Sequence, residues 1–237
     1  MDTLTQSLST ALDLVWGADP ALWRTVGLSL QVSGSACALA ALAGLVGGAW
    51  LAVAQFPGRR GVLLLLNTLL ALPSVLVGLL VYLLLSRSGP LGSWGILFTP
   101  SAMVIAQTLL VLPLIAALTR QLVADALREG GDQLLSQGAS PLLCALLMLV
   151  HERWALVTVL ITAFGRAIAE VGAVMIVGGN IDGVTRVMTT SIALETSKGD
   201  LPLAIALGLV LLGVVAVLNA GLALVQRGQG SALAGVR

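Results

Sequence analysis

The stretch from Gly165 to Asn180 reads GRAIAEVGAVMIVGGN and holds one arginine and one glutamate in one of the most apolar regions of the chain. Arg166 and Glu170 stand four residues apart, so a helix would place them on one face. Charged side chains at membrane depth are costly, and they generally face protein or water. The fold therefore depends on whether this stretch lies in a membrane, which the surrounding sequence decides.

The composition is that of a membrane protein. The chain has 237 residues, of which 58% are hydrophobic and only 10% are charged, and its mean hydropathy is +1.03. A soluble domain usually carries about 25% charged residues, so lipid must cover much of this surface. The net charge of +1 gives no indication of nucleic-acid binding. We therefore expect an all-α integral membrane protein.

Long segments without charge separate the few charged residues, and each exceeds the ~20 residues that a membrane-spanning helix needs. With one interrupted segment, they predict five spans, at 25–58, 61–86, 88–119, about 141–172, and 201–226. The fourth is unusual because five ionisable side chains interrupt it: His151, Glu152, Arg153, Arg166 and Glu170. Residues 1–22 are expected to form a surface helix, residues 23–227 a transmembrane domain, and residues 228–237 a tail.

Local signals predict where helices begin and bend. A capping side chain beside a proline marks four helix starts, at Asp19-Pro20, Thr99-Pro100, Ser140-Pro141, and Asp200 with Pro202. Pro73 and Pro113 lie inside spans, where they should kink or end a helical segment. Gly44 and Gly48 have the spacing of a close helix contact. No cleavable signal peptide is expected.

The distribution of arginines predicts that the N-terminus lies outside and the C-terminus in the cytoplasm. Two connections then remain that are too long to be turns, a cytoplasmic one at about 121–140 and an outer one at about 178–199. In the cytoplasmic connection, residues 132–137 can form a short helix. Gly138 suits the left-handed residue that ends it, and Ser140 caps the next helix. Such an exposed helix could pass force from a soluble partner, or it could be an ordinary helix connection.

The cytoplasmic connection resembles a motif of ABC-importer permeases, namely Glu-Ala-Ala, three residues, Gly, nine residues and Ile-x-Leu-Pro. Here Asp132-Gln133-Leu134, Gly138 and Met148-x-Val150-His151 occupy those places, so the acid and the glycine match. In that family the segment is the coupling helix, which docks in a groove of the ATPase subunit. The resemblance implies that coupling to the ATPase falls to Asp132, Gln133, Gly138, Ala139 and Ser140.

The stretch from Phe164 to Asp200 resembles the C-terminal half of oxyanion-importer permeases, and it is closest to the tungstate-type branch. This resemblance implies a type I ABC-importer-like transmembrane domain with about five spanning helices in the cytoplasmic membrane. It also implies a homodimer that works with two ATPase subunits and a solute-binding protein. The implied cargo is an oxyanion, with tungstate placed before molybdate or sulfate.

Three roles are open for Arg166 and Glu170. The pair can be an internal salt bridge that fixes helix packing. It can be a gate that breaks and re-forms, or Arg166 can present positive charge to a passing oxyanion while Glu170 orients it. In the outer connection we expect a short helix at 187–197. Polar side chains there are candidates for the pathway, namely Asn180, Thr185, Arg186, Thr189, Thr190 and Ser191.

Enzymatic functions find little support in the sequence. The single histidine cannot build a zinc-protease site, and neither a phosphate-binding loop nor a Gly-x-Ser-x-Gly elbow occurs. We therefore predict no catalytic residues, no metal and no cofactor, with ATP hydrolysis in a separate subunit. An ion-coupled secondary transporter is the alternative from another class, although no internal repeat supports it.

Overall fold

The computed structural model describes the backbone of residues 3–17 and 19–234, and most side chains up to Gly221. This part of the chain contains ten α-helices and no strand. In order they are α1 (Thr3–Trp16), α2 (Pro20–Val53), α3 (Arg59–Leu70), α4 (Ser74–Leu85), α5 (Pro100–Ser136), α6 (Pro141–His151), α7 (Arg153–Ile168), α8 (Gly172–Gly178), α9 (Met188–Lys198) and α10 (Leu201–Ala234). A short 3₁₀ turn lies at Gly92–Trp94.

Three helices are long and apolar enough to cross a membrane, namely α2, the Pro100–Gly131 part of α5 and the Leu201–Gly221 part of α10. Two pairs of consecutive shorter helices meet the same test only when each pair is taken together. The helices α3 and α4 meet at a bend of 101°, and α6 and α7 meet at a bend of 77°. If each bent pair is one span, the described residues contain up to five spans. The all-α, multi-pass fold is thus confirmed, and the second and fourth spans are bent.

The bends have different causes. Pro73 lies in the break between α3 and α4 with an extended backbone, so it ends a helical segment as predicted. Pro113 does not end one, because α5 continues through it to Ser136. The α6–α7 bend has no proline, and it lies at the charged residues Glu152 and Arg153. There Arg153 Nη1 donates a hydrogen bond to the Val150 carbonyl at 3.4 Å, which gives this carbonyl near the end of α6 a partner.

The chain forms two compact units. The first contains the residues up to Ser29 and those from Asn180 onward. Within it, α10 packs against α1 and α9, and the Met188 amide donates to Ser29 Oγ at 2.9 Å. Two of the predicted caps are present in this unit, since Asp19 Oδ1 accepts from Ala21 N at 2.7 Å and Asp200 Oδ1 accepts from Leu203 N at 3.1 Å.

Helix α1 (Thr3–Trp16) lies within the segment 1–22 for which a surface helix is predicted. Its large apolar side chains Leu8, Leu12 and Trp16 are exposed, whereas Ala11 is buried. An exposed apolar face on a terminal helix fits a position on the membrane surface, which stays a prediction. A short helix was predicted at 187–197, and α9 (Met188–Lys198) is that helix, while its position on the outer side stays a prediction.

The second unit, Leu30–Gly179, is built around α5, which contacts α3, α4, α6, α7 and α8. Its core joins Val111 and Ile115 of α5 to Cys37 of α2 and Ala163 of α7. Helices α2 and α5 approach so closely that a Cβ added to Gly48 would lie 2.5 Å from a backbone oxygen of α5. The close contact predicted for this glycine is therefore confirmed.

Two predictions about local structure were wrong. The cytoplasmic connection is much shorter than 121–140, because α5 stays helical to Ser136 and only residues 137–140 form the turn. Residues 132–137 are thus not a separate short helix. The residues before them have high helix propensity, and α5 continues past Gly130 and Gly131. Thr99 also does not cap α5, because its hydroxyl donates back to the Ile96 carbonyl.

Candidate functional site

The fourth span breaks a second time beyond α7, and this break is the centre of the candidate site. Helix α7 ends at Ile168 and α8 begins at Gly172. Between them the chain makes a tight turn, in which the Glu170 amide donates to the Ala167 carbonyl at 3.1 Å. Inside a membrane, backbone groups at such a break need protein partners. Side chains from this span and from two other helices meet here.

Glu170 is the residue on which these contacts converge. One carboxylate oxygen, Oε2, pairs with Arg166 Nη1 at 2.6 Å, and the other accepts a hydrogen bond from the Ala173 amide at 3.2 Å. The Ser74 side chain also hydrogen-bonds to the carboxylate. Only 4% of the Glu170 side chain is exposed. Glu170 therefore connects the end of α7, the start of α8 and the start of α4.

The two members of the ion pair are placed differently. The Arg166 side chain is 46% exposed, in contrast to its buried partner. Because Glu170 has other partners in α4 and α8, it would stay bound if the arginine moved away. The spacing predicted the pair, and the geometry adds that the carboxylate is the fixed member. Such a pair can lock the break, or it can release a positive charge.

Gln107 of α5 holds the other side of the break. Its side chain is 3% exposed, and Nε2 donates to the Ala167 carbonyl at 2.9 Å. Its oxygen Oε1 is buried and has no partner among the described residues. Neither Gln107 nor Ser74 was predicted as a site residue. Both are polar residues in segments that are otherwise almost wholly apolar, which is the signal that could have found them.

The residues predicted to couple to an ATPase lie at the end of α5 and in the turn that follows it, which together we call the elbow (residues 132–140). Gly138 has φ of +85°, so the predicted left-handed conformation is confirmed. The Ala139 amide donates to the Leu134 carbonyl at 3.2 Å, and Ser140 Oγ accepts from Leu143 N at 3.3 Å. Gln133, Gly138 and Ser140 are exposed, and Ala139 is half-buried. The side chain of Asp132 lies outside the described residues.

Two cavities flank the elbow. One has a volume of about 430 Å³ and is lined by residues of α5 and α6 and by Glu152, which follows α6. Its polar lining residues include Glu129, Gln133 and His151. The other, of about 570 Å³, is largely apolar and includes Gly131, Leu135, Pro141 and Cys144. Within the described part of the chain, no three His, Cys, Asp or Glu side chains cluster as metal ligands would. The elbow thus offers surfaces for a partner.

All four of the predicted pathway residues that carry hydroxyl groups are buried in the first unit, namely Thr185, Thr189, Thr190 and Ser191. Thr185 Oγ1 accepts from the Ile181 amide at 2.9 Å. Thr190 Oγ1 accepts from the Val187 amide at 3.0 Å and so caps α9. These two hydroxyls therefore have local structural partners, and their contact with a passing ion stays a prediction.

Asn180 and Arg186, the other two pathway candidates, lie in one turn. Arg186 Nη1 pairs with Asp182 Oδ1 at 3.1 Å, and its Nη2 lies 3.5 Å from the Asn180 carbonyl oxygen. Asn180 has a positive φ of 50°, which an asparagine tolerates better than most residues. The Arg186 side chain therefore brings Asn180 and Arg186 together through its contact with the Asn180 carbonyl.

Comparison with known proteins supports the resemblance seen in the sequence. The tungstate uptake system permease protein of Peptoclostridium acidaminophilum is 43% identical over 220 residues, which is 93% of this chain and 96% of that protein. The corresponding protein of Campylobacter jejuni is 39% identical over 92% of each chain. A protein of Haloferax volcanii named as a probable anion ABC transporter permease is 42% identical over 81% of this chain and 85% of its own length. No protein-family model matches the chain.

The matches to the two tungstate uptake permeases extend over 93% and 92% of this chain. The helical, multi-pass fold agrees with them. The chain is therefore a multi-pass protein of the cytoplasmic membrane, and it belongs to the family of anion ABC-transporter permeases.

Proposed function

We propose that the chain is the membrane subunit of an ATP-driven importer of tungstate. The observation that carries this proposal is that the relatives named for tungstate uptake match this chain with higher identity and coverage than those named for sulfate or molybdenum transport. Two whose names state tungstate uptake match at 43% and 39% over 93% and 92% of the chain. Relatives named for sulfate and molybdenum transport match at 32% and 29% over 71% and 76% of it.

The energy is assigned to a separate subunit. The chain contains no phosphate-binding loop, so an ATPase partner must bind and hydrolyse ATP. The elbow suits the docking of that partner because it is exposed, fixed by hydrogen bonds and continuous with α5. Closure of two ATPase subunits would press on two elbows of a homodimer whose two-fold axis follows the pathway. A solute-binding protein would deliver the anion from outside.

Helix α5 offers a route from the elbow to the break in the fourth span. It ends at the elbow and carries Gln107, which is bonded to the Ala167 carbonyl. A shift of α5 would therefore pull on the turn between α7 and α8. Glu170 would hold this turn to Ser74 of α4, while the more exposed Arg166 could leave its partner. In this proposal the ion pair and Gln107 control the angle of a broken helix and so act as the gate.

The described residues offer support for transient contact with the anion, not for a tight enclosed site. Arg166 is the half-exposed cation at the break, and among the described residues its carboxylate partner is Glu170. Asn180 and Arg186 are the proposed contacts in the outer segment. Selection between similar tetrahedral anions would then belong largely to the binding protein, where an enclosed site can discriminate more strongly.

Assembly with an ATPase tests this function against an ion-coupled transporter. Coexpression of the chain with its ATPase subunit should give a stable complex after detergent extraction. Vesicles that contain the chain alone should take up no tungstate under a proton or sodium gradient. Gradient-driven uptake by the chain alone, without ATP, would contradict the proposal.

A further inference from the structure

A small cavity lies where α2 connects to α3. Its volume is about 350 Å³, and it is lined by Gln55, Phe56, Gly58, Arg59 and Arg60. Two of these five residues carry guanidinium groups and none carries a carboxylate. The cavity is therefore suited to an anion, and nothing in the proposed transport mechanism uses it.

No acidic side chain that the structure describes neutralises the positive charge around this cavity. Among the described residues, no Asp or Glu pairs with Arg59 or Arg60. Arg59 Nη2 donates to the neutral Leu51 carbonyl at 3.1 Å, which fixes this side chain against the end of α2. Arg120 of α5 lies near the same end, since its amide is 3.1 Å from a Cβ built on Gly48, and it too has no acidic partner in the described part of the chain. An anionic ligand would compensate this charge.

Apolar surface adjoins the charged cavity. The rings of Trp50 and Phe56 stack with centroids 5.4 Å apart, and Phe56 packs on the core formed by Leu51, Leu66 and Ala116. Trp50 is exposed, and so are Leu64 and Leu65 further along α3. Exposed tryptophan beside arginine is typical of the membrane–water interface. A ligand here would meet positive charge at one end and apolar side chains at the other.

We propose that this cavity binds the phosphate headgroup of an anionic phospholipid. The guanidinium group matches phosphate oxygens in geometry and charge. The predicted orientation puts Arg59 and Arg60 on the cytoplasmic side, where anionic lipids attract basic residues near the membrane. Free phosphate shares the headgroup chemistry, but it would make no use of the exposed Trp50, Leu64 and Leu65. The lipid is therefore the ligand that fits both parts of the surface.

The position of this site connects it to the elbow. Gln55 lines both the cationic cavity and the 570 Å³ cavity next to Gly131, Leu135 and Pro141. A bound lipid would therefore border the helices that carry the elbow. It should stabilise this end of the second unit, and that effect can be measured on the purified chain whether or not the transport proposal holds.

The test is a lipid titration of the full-length chain in detergent micelles. Thermal midpoints and native mass spectra are recorded with phosphatidylglycerol, with phosphatidylcholine, and with inorganic phosphate. Phosphatidylglycerol should raise the midpoint and remain bound, and the other two should do neither. Arg60→Gln removes an exposed charge and should weaken phosphatidylglycerol binding about fivefold. Arg60→Lys should retain most of the binding.

Arg87→Gln provides the matched control, because Arg87 is an exposed arginine in the turn after α4. It should leave phosphatidylglycerol binding unchanged. Equal loss in Arg87→Gln and Arg60→Gln would overturn the proposal in favour of unspecific charge attraction. Equal stabilisation by phosphatidylcholine, or by inorganic phosphate, would also overturn it, as would unchanged binding in Arg60→Gln.

Discussion

Replacing Arg166 with alanine should destabilise the folded chain more than the loss of a half-exposed arginine usually does. The change leaves Glu170, whose side chain is only 4% exposed, without its cation. Breaking a buried ion pair costs about 3–5 kcal/mol. Glu170 keeps its bonds to Ala173 N and Ser74, and Arg166 is 46% exposed. We therefore expect a smaller loss for Arg166→Ala, of about 2 kcal/mol in the free energy of unfolding.

The same change should have little effect once Glu170 is gone. In a Glu170→Ala background Arg166 has no carboxylate to neutralise, and its removal should cost about 0.5 kcal/mol or less. The coupling energy of the pair is then about 1.5 kcal/mol, which lies in the range found for residues in contact. Glu170→Gln is the matched control, since it keeps an oxygen for the Ala173 amide. It should recover about 1 kcal/mol relative to Glu170→Ala.

Denaturant unfolding of the full-length chain in detergent, followed by circular dichroism, gives these free energies for the wild type, the three single variants and the double variant. If Arg166→Ala costs the same with and without Glu170, the pair does not couple. The account of Glu170 as the fixed member of an ion pair would then be wrong.

The remaining predictions concern glycines and the glutamine of α5. Gly138→Val places a β-branched residue at a φ of +85° and should lower anion-stimulated ATP hydrolysis of the assembled complex while membrane insertion survives; undiminished stimulation would argue against the elbow. Gly48→Ala puts a Cβ 2.5 Å from a backbone oxygen of α5 and should cost about 1–3 kcal/mol of stability, whereas Gly47→Ala, which meets nothing within 4 Å, should be tolerated. Gln107→Leu removes the bond to Ala167 but also the buried, unpartnered oxygen, so stability should change by less than about 1 kcal/mol. Tungstate uptake by this variant should nevertheless fall. Normal uptake would show that Gln107 does not link α5 to the gate.

The fold was predictable wherever local chemistry alone decides the structure. Apolar runs of sufficient length indicated up to five spans, because hydropathy and length are sequence properties, although the third spanning helix begins at Pro100 and not at residue 88. The caps at Asp19, Ser140 and Asp200 followed from side chains that reach only two or three residues along the chain. Gly138 followed from the rarity of left-handed backbone in other residues. Thr99 failed because its hydroxyl found a competing partner in the preceding turn.

The geometry of the site was not predictable in the same way. Hydropathy cannot distinguish a straight apolar helix from one bent by 77° at Glu152, since it depends on composition and not on the direction of the backbone. The bond from Gln107 to the Ala167 carbonyl joins positions 60 residues apart, so it depends on how α5 packs against α7. The spacing of Arg166 and Glu170 predicted their pairing, but it carried no information on Ser74 or on the unequal burial of the two charges.

Tungstate uptake by reconstituted proteoliposomes tests the central claim most directly. The chain, its ATPase and its binding protein are combined, and ATP-dependent uptake is measured with the same binding protein loaded with tungstate, molybdate or sulfate. We predict tungstate uptake that requires both ATP and the binding protein. When the binding protein is omitted, tungstate and molybdate should stimulate ATP hydrolysis only weakly and with little preference. Uptake without ATP, or of sulfate in preference to tungstate, would contradict the assignment of this chain as a tungstate importer subunit.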